Sequence, residues 1–393
     1  MNTSHTKKRI LFISKSGVLE TYREKFFFLA RHGKMDIGLI CPMTWRKTRF
    51  EPSLNDKNIW IRKLRIVGAG FKSFYIFLGI EAEIKAFKPD LIVIEEEADS
   101  LVAYQVSCIA KRLAVATVIQ VKNQKNYSPF SLRRYFEKYT WNVSKSIFAE
   151  TRYVADLLKK ASYAKKIFGV PRLLFDVGLM NEQVILEKER LRQKRLIIKA
   201  VFETKSSDDI EIEIEREFWI GCVGAFRDSV GISDLIKSFA WLLKQRSCRL
   251  ILVGMGPYTK ACQTLVKKLK VHERVTFLGT VSSMNFRGFL KAIDVMCIPS
   301  TFNEKRAMLS AKFLSEGMAC GAVPLGPSLG VVPEIIGKAG LVFANREEED
   351  LKFALKALMD DPSFLQQCRR LSYERAKKHF SCSILMDALL CAT

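Results

Sequence analysis

Short runs of apolar residues alternate along the chain with longer amphipathic segments. The runs are a few residues long and almost wholly apolar, which is typical of strands covered on both faces. They comprise residues 10–13, 37–41, 91–94, 117–121, 146–149, 219–223, 250–253, 275–278, 295–298 and 323–325. The amphipathic segments, which have the period of a helix, include residues 19–31, 101–113, 132–141, 232–243 and 258–269. This alternation predicts an α/β fold built from doubly wound parallel sheets.

The pattern breaks once, in a mostly charged stretch at residues 182–217. Its first part is basic, and its later part, residues 208–215, alternates acidic and apolar residues as an exposed strand does. We therefore predict a Rossmann-like domain at residues 1–180, a linker or charged insertion at 181–217 and a second Rossmann-like domain at 218–378. A tail at 379–393 is expected to be helical and to pack back toward the first domain. Because open α/β sheets bind ligands beyond the carboxyl ends of their strands, we expect the two domains to face each other across a ligand-binding cleft.

Composition narrows the class of protein. The formal net charge is +23, which favours polyanionic partners such as phosphorylated substrates, an anionic membrane or nucleic acid, although any single basic cluster is more simply a solvated face. No uncharged apolar run has the length of a membrane span, so we expect a cytoplasmic protein. The ten cysteines form no C-x-x-C pair, and the four histidines have no zinc-site spacing. We expect buried reduced thiols, no metal and no cofactor.

The second half of the chain carries an ordered series of blocks in which glycines and prolines flank apolar strands. The blocks are residues 219–224, 250–257, 275–279, 292–300, 316–324, 333–335 and 339–343. In order and spacing they resemble the donor domain of glycosyltransferase family 4. Residues 14–23, 42–46, 89–97 and 122–130 resemble, more loosely, the acceptor domain of a bacterial branch of that family. The chain is thus similar to a divergent bacterial member, and the resemblance implies the GT-B fold.

The resemblance also implies a function. Such a protein would move a sugar from a nucleotide-diphosphate donor, a UDP- or GDP-sugar, to a glycan or lipid-linked acceptor, with retention of configuration and without a metal. The nucleotide-sugar would be a substrate rather than a cofactor. By resemblance Glu316 would accept hydrogen bonds from the ribose hydroxyls; a helix glutamate favoured by the helix dipole is the competing interpretation. The implied donor-binding residues are Gly224, Arg227, Gly254, Gly256, Ser310, Ala311 and Glu316.

Three departures from the family pattern bear on catalysis. Family members have a second glutamate where this chain has Met308, and they have cations that hold the leaving diphosphate where this chain has Ala225 and Val230. Glu304 and Arg227 are the candidate replacements. One preorganised charge-stabilising group contributes about 3–4 kcal/mol to the stability of a transition state, so these losses would be costly. The alternative hypothesis is a catalytically silent homologue that serves as a binding or scaffold subunit.

The acceptor side is predicted from residues that follow the early strands. Gly17 follows the first strand, where a glycine lets the backbone approach a ligand, although a tight turn would also explain it. Glu95 and Glu97 follow the strand at 91–94, where Glu97 is the candidate catalytic base, and the alternative is a solvated loop. Lys122 and Asn123 follow the next strand and complete the predicted acceptor side.

Two further contacts are considered from composition alone. The aromatic segment at residues 71–87 is preceded by basic clusters, so it could lie on the inner, anionic face of a membrane, although packing on the sheet is the simpler alternative. Nucleic-acid binding rests on net charge without a supporting motif, and we expect none.

Overall fold

The structure is a computed structural model that describes residues 7–46, 48–68, 73–121, 128, 130–160, 165–171, 174–176, 187–202, 217–226, 231–281, 283–299, 304–344 and 347–393. The chain divides into two compact units. The first unit comprises Met1–Asp176 together with Ser381–Thr393, and the second comprises Val177–Phe380.

The first unit is built on a parallel sheet. Its strands are β1 (Lys8–Ile13), β2 (Met35–Pro42), β3 (Thr44–Trp45), β4 (Thr48–Arg49), β5 (Trp60–Leu64), β6 (Ile66–Val67), β7 (Ile76–Phe77), β8 (Leu91–Ile94), β9 (Ala116–Val121), β10 (Ser146–Ala149) and β11 (Lys166–Gly169). Its helices up to that point are α1 (Glu20–Arg31), α2 (Ile80–Phe87), α3 (Leu101–Arg112), α4 (Leu132–Val143) and α5 (Arg152–Lys160). Among the described residues seven strands form the main sheet in the order β11-β10-β9-β8-β1-β2-β5. The short pairs β3-β4 and β6-β7 are antiparallel and separate from it.

The second unit repeats the parallel architecture. In chain order its elements are α6 (Glu187–Phe202), β12 (Phe218–Val223), α7 (Ile232–Leu243), β13 (Cys248–Val253), α8 (Thr259–Lys268), β14 (Val275–Gly279), α9 (Ser283–Ala292), β15 (Val295–Cys297), α10 (Glu304–Ala319), β16 (Val323–Pro327), α11 (Val332–Ile336), β17 (Leu341–Phe343), α12 (Glu348–Asp360) and α13 (Pro362–His379). Over the described part of this unit the sheet order is β14-β13-β12-β15-β16-β17. This is the Rossmann order 3-2-1-4-5-6, so the doubly wound prediction is confirmed in both units.

The central strands are buried for the reason the sequence suggests. Ile10, Leu11, Phe12 and Ile13 of β1 are all fully buried. Alternate residues of β1 pack into two separate apolar clusters, one on each face of the sheet. A strand covered by helices on both faces needs apolar residues at every position, and this explains its uninterrupted apolar run.

The last helix, α14 (Cys382–Ala392), belongs to the first unit. Its residues Cys382, Leu385 and Leu389 are buried in the same cluster as Phe26 and Met35. The Cys382 N–H donates to the Phe175 carbonyl over 3.0 Å, which fixes where this helix begins.

The predicted linker is partly outside the described residues. Residues 187–202 form α6, which packs against α9 in the second unit. The alternating segment at 208–215 lies outside the described residues. Among the described residues, no helix has both the length and the apolar character needed to cross a membrane.

Candidate functional site

Each sheet has one point at which the strand order changes direction. In the first unit β1 lies between β2 and β8, and in the second β12 lies between β13 and β15. At such a point the connections that follow the two neighbouring strands run to opposite faces of the sheet. A crevice therefore opens beyond the carboxyl ends of the two strands. The residues directly after β1 and β8, and after β12 and β15, are therefore the place to look for a site in each unit.

In the first unit the crevice is lined by charge pairs. Strands β1 and β8 are in register at Ile13 and Ile94, so the residues that follow them are neighbours. The Lys15 backbone N–H donates to Glu96 Oε1 over 2.7 Å, and the Lys15 ammonium forms an ion pair with the same carboxylate. The predicted acceptor residue Glu95 is likewise buried and forms an ion pair with Lys25 of α1 (Glu20–Arg31). These pairs hold two carboxylates in the crevice at the edge of the sheet.

Glu97 differs from its two neighbours because its side chain is half-buried. The helix α3 that follows is capped by Ser100, whose hydroxyl accepts from the Ala103 N–H over 3.2 Å. Tyr75 is fully buried beside this edge, and burial together with the charge of Glu96 raises the pKa of its hydroxyl well above the usual range. Of the three consecutive glutamates Glu97 is the most accessible, and its role as a base stays a prediction.

The glycine at position 17 is explained by packing. A Cβ there would lie 3.0 Å from Leu39 Cδ2 and 3.1 Å from Cys41 Cβ, so a side chain would press on β2. Its carbonyl accepts from the buried guanidinium of Arg23 over 2.8 Å, and Arg23 also donates to Asp56 over 3.0 Å. This buried arginine holds the turn after β1 in place. A ligand contact at Gly17 stays a prediction.

In the second unit the loops after β12 and β13 pack backbone against backbone. A Cβ on Gly254 would lie 2.0 Å from the Gly224 carbonyl oxygen, and one on Gly256 would lie 2.3 Å from that of Phe226. Gly254 also has a φ of +116°, a value that side chains other than glycine rarely adopt. The two glycines are thus required by the contact between the loops, independently of any ligand.

Gly224 is different from these two. No described atom lies within 4 Å of the position that a Cβ on Gly224 would take, and the next residue, Ala225, is exposed. The open side of this glycine is at the carboxyl end of β12, beside the change in strand order. A bulky, charged ligand could approach the backbone there.

Glu316 lies on α10 (Glu304–Ala319), the helix that follows β15. The helix touches the strand at Gly317, where a Cβ would lie 3.1 Å from Met296 Cβ. The Glu316 side chain is 14% exposed, and Lys312 Nζ lies 3.5 Å from its Oε1. Burial raises the pKa of the nearby Cys320 thiol to about 12, and the positive charges of Lys291 and Arg287 act on it in the opposite direction. Lys312 is therefore a cation that lies beside the predicted ribose ligand.

Several predicted residues cannot be placed. Lys122, Asn123, Arg227 and Val230 lie outside the described residues. The backbone of the first two turns of α10 is helical, but the side chains there are not described. That group comprises Glu304, Met308, Ser310 and Ala311.

Sequence reasoning missed a buried cluster around Asp294 in the second unit. The carboxylate accepts from Arg190 Nη1 and Lys194 Nζ, each over 3.0 Å, and from the Trp219 backbone N–H over 2.8 Å. Arg369 of α13 (Pro362–His379) forms a third ion pair with it. The spacing of Arg190 and Lys194, four residues apart on one helix face, was the available signal. The cluster lies at the amino ends of β12 and β15, away from the crevice.

The described part of the aromatic segment at 71–87 contributes side chains to the core of the first unit. Within the described residues 73–87, the side chains of Tyr75, Phe77, Ile80, Ile84 and Phe87 are buried in the core of the first unit. Packing inside the unit, the simpler alternative, therefore describes these five side chains, and membrane contact by this segment stays a prediction.

Sequence comparison with known proteins finds a family match in the second unit. Residues 217–361 match the family "Glycosyl transferases group 1". The N-acetyl-alpha-D-glucosaminyl L-malate synthase of Bacillus anthracis is 33% identical over 114 residues, which are 29% of this chain and 28% of that relative. The chain thus matches less than a third of the length of this curated relative.

Solved structures are similar over both units. A glycosyltransferase from Rickettsia africae ESF-5 has a TM-score of 0.68 at 15% identity and covers 98% of this chain and 97% of its own. Anabaena HepE in complex with UDP has a TM-score of 0.65 at 15% identity, covering 98% of this chain and all of its own. At this identity the likeness establishes the fold, and the predicted GT-B class is confirmed.

Proposed function

We propose that the protein, which carries a glycosyltransferase group 1 domain at residues 217–361, transfers a sugar from a nucleotide-diphosphate donor to a glycan or lipid-linked acceptor. The observation that carries the proposal is the crevice of the second unit. There the open side of Gly224 ends β12, and the half-buried Glu316 stands on the helix that follows β15. HepE, a structure with the same fold, was solved with UDP bound, which supports UDP as the first nucleotide to test.

The donor site is argued from what a nucleotide diphosphate requires. Ribose hydroxyls need an acceptor, and Glu316 supplies a carboxylate that Lys312 already holds from one side. The diphosphate needs cations or backbone N–H groups, and the start of a helix provides the latter. We assign the remaining donor contacts to Arg227, Gly254, Gly256, Ser310 and Ala311.

The catalytic assignment is Glu97, Arg227 and Glu304, with Gly17, Glu95, Lys122 and Asn123 on the acceptor side. Of the three consecutive glutamates in the first unit, Glu97 is the least buried. We propose a retaining reaction without a divalent metal, in a cytoplasmic protein. Activity that persists in excess EDTA would agree with the metal-independent part of the proposal, and loss restored by Mg²⁺ would contradict it.

The experiment is calorimetric titration with UDP and with GDP. The matched variants are Glu316→Ala and Glu374→Ala; Glu374 is an exposed glutamate on α13 of the same unit. A hydrogen bond to a charged group contributes roughly 1.5–3 kcal/mol, so Glu316→Ala should weaken binding about 10- to 150-fold, and Glu374→Ala should leave it unchanged. Binding that is equal in all three proteins would rule out Glu316 as the ribose ligand.

A second function, a silent homologue acting as a binding or scaffold subunit, is favoured by one observation. Ala225 is exposed beside the open side of Gly224, at a position where members of glycosyltransferase family 4, which this chain resembles, carry a cation. Nucleotide binding without hydrolysis or transfer of any UDP- or GDP-sugar would favour this function. Transfer to any acceptor would exclude it.

A further inference from the structure

Three large apolar or aromatic side chains are exposed within six residues of sequence at the start of α4 (Leu132–Val143) in the first unit. Phe130 is 97% exposed, Leu132 is 67% exposed and Tyr135 is 54% exposed. Single exposed apolar residues are common on proteins, but three within six residues form a patch. We call these three residues the α4 surface. The Ser131 hydroxyl accepts from the Arg133 N–H, so a capped helix end presents Leu132 and Tyr135.

The α4 surface rests on a cluster of aromatic rings. The ring of Tyr104, on α3, lies 5.7 Å from that of Tyr135, 4.9 Å from that of Phe136 and 4.9 Å from that of Tyr139. The contact with Tyr104 holds the Tyr135 ring in place while about half of the Tyr135 surface stays open. The Tyr135 part of the α4 surface is therefore preformed, and docking would require little ordering of that side chain.

The charged side chains that border the α4 surface and reach solvent are positive. Arg133 and Arg134 are 37% and 31% exposed, and Lys138 is exposed one turn further along. Their acidic partners, Asp99 and Glu137, are only 5% and 4% exposed. The carboxylates are thus turned inward, and the apolar side chains are bordered by cations.

We propose that the α4 surface docks the first unit onto an anionic phospholipid membrane. Apolar and aromatic side chains bordered by arginine and lysine are suited to the boundary between acyl chains and acidic headgroups, where the rings insert and the cations meet phosphates. The net charge of +23 adds long-range attraction to such a surface. A second copy of the chain fits less well, because a two-fold contact would bring Arg133, Arg134 and Lys138 against the same cations.

The α4 surface begins at the same edge of the sheet as the predicted acceptor residues. Helix α4 runs from the carboxyl edge of the sheet back to the amino edge, where the Lys145 N–H donates to the Thr117 carbonyl over 2.8 Å. Leu132 therefore lies toward the edge that carries Glu95 and Glu97. Membrane docking would bring that edge to the lipid and would select a lipid-linked acceptor. This last step rests on the proposed function, whereas membrane binding itself does not.

The test is flotation with vesicles of phosphatidylcholine alone and of phosphatidylcholine mixed with phosphatidylglycerol. We expect binding to the anionic vesicles only, and a loss of about tenfold or more in the double variant Phe130→Ser/Leu132→Ser, because insertion of both side chains is removed. Leu54→Ser is the matched control, since Leu54 is 91% exposed elsewhere in the same unit. Lys138→Gln should weaken binding and reduce its sensitivity to salt.

Several outcomes would overturn the proposal: no binding to anionic vesicles, equal binding by the double variant, or equal loss in Leu54→Ser. Self-association that the double variant abolishes, without vesicle binding, would assign the surface to a second copy instead. Unchanged circular dichroism and melting temperature would show that the exposed substitutions leave the fold intact. UDP binding, measured separately, tests the proposed function, so the two proposals can fail independently.

Discussion

Replacing Asp294 by asparagine keeps the shape of the side chain and removes its negative charge. Three cations with almost no access to solvent lie around this carboxylate: the side chains of Arg190, Lys194 and Arg369 are 2%, 4% and 7% exposed. The three cations belong to two helices: Arg190 and Lys194 to α6, and Arg369 to α13. The Trp219 N–H ties the start of β12 to the same carboxylate. The substitution therefore removes the common partner of three elements.

The magnitude follows from burial. Breaking a buried ion pair by neutralising one partner costs about 3–5 kcal/mol, because the remaining charges stay away from water without compensation. The second unit spans Val177–Phe380, and domains of about 150–250 residues lose roughly 2–4 °C in melting temperature for each kcal/mol. We therefore expect Asp294→Asn to lower the transition of the second unit by about 6–20 °C.

Calorimetry and hydrogen exchange measure the two parts of this prediction. Asp360→Asn is the matched control, because Asp360 pairs with Lys356 on the surface of the same unit, where ion pairs contribute at most about 1 kcal/mol. Exchange of amides in 187–202 should accelerate in Asp294→Asn, since α6 loses its anchor. A shift no larger than that of the control would refute the reasoning, and so would unchanged exchange in α6.

Two other substitutions test particular features of the second unit. Gly254→Ala should destabilise this unit by about 1–3 kcal/mol in denaturant unfolding, because φ of Gly254 is +116° and the added Cβ would lie 2.0 Å from the Gly224 carbonyl oxygen. Gly224→Ala should keep the stability of the unit, because the added Cβ would enter open space, but it should lose UDP binding. Similar stability losses in both would contradict the assignment of their roles. Burial raises the pKa of the Cys222 thiol to about 12 from an ordinary value of 9.0. The stability that the buried neutral thiol contributes is therefore complete below pH 9.0 and is lost as the pH rises toward 12, by about 1.4 kcal/mol per pH unit. Melting temperatures across this range should fall less steeply in Cys222→Ala, and equal slopes would exclude the thiol as a cause.

The central strands could be predicted because burial on both faces leaves no position for a polar residue. Strand β12 is buried along almost its whole length, and the apolar run at 219–223 marked it. The edge strands of the first sheet lack this signal. Within the described part of that sheet, strand β5 (Trp60–Leu64) pairs with β2 alone, and its exposed Arg62 and Lys63 interrupt the apolar pattern. The sequence therefore predicted the core of the first sheet better than its borders, whereas the edge strand β14 of the second sheet was predicted from its apolar run at 275–278.

The candidate site was predictable where backbone geometry demands one residue type. Gly254 and Gly256 stood out in the sequence, although the structure explains them by the contact of two loops. Ion pairs were harder to foresee, because a lysine or glutamate has the same identity whether it is solvated or buried. Glu95 and its partner Lys25 are 70 positions apart in sequence, and no local pattern joins them.

The basic residues of this chain fall into two physical classes, and the distinction decides what the net charge of +23 means. Arg190 and Lys194, in the most basic stretch of the sequence, are directed inward to Asp294, so they stabilise the second unit and are not available to an external partner. Arg133 and Lys138 lie at the surface beside exposed apolar side chains. Charge alone would favour nucleic acid as readily as a membrane, and an exposed Phe130 could stack on a base, but the aliphatic Leu132 has no stacking surface, whereas a bilayer gains from both side chains. The apolar neighbours of the exposed cations, rather than the total charge, therefore favour lipid as the partner.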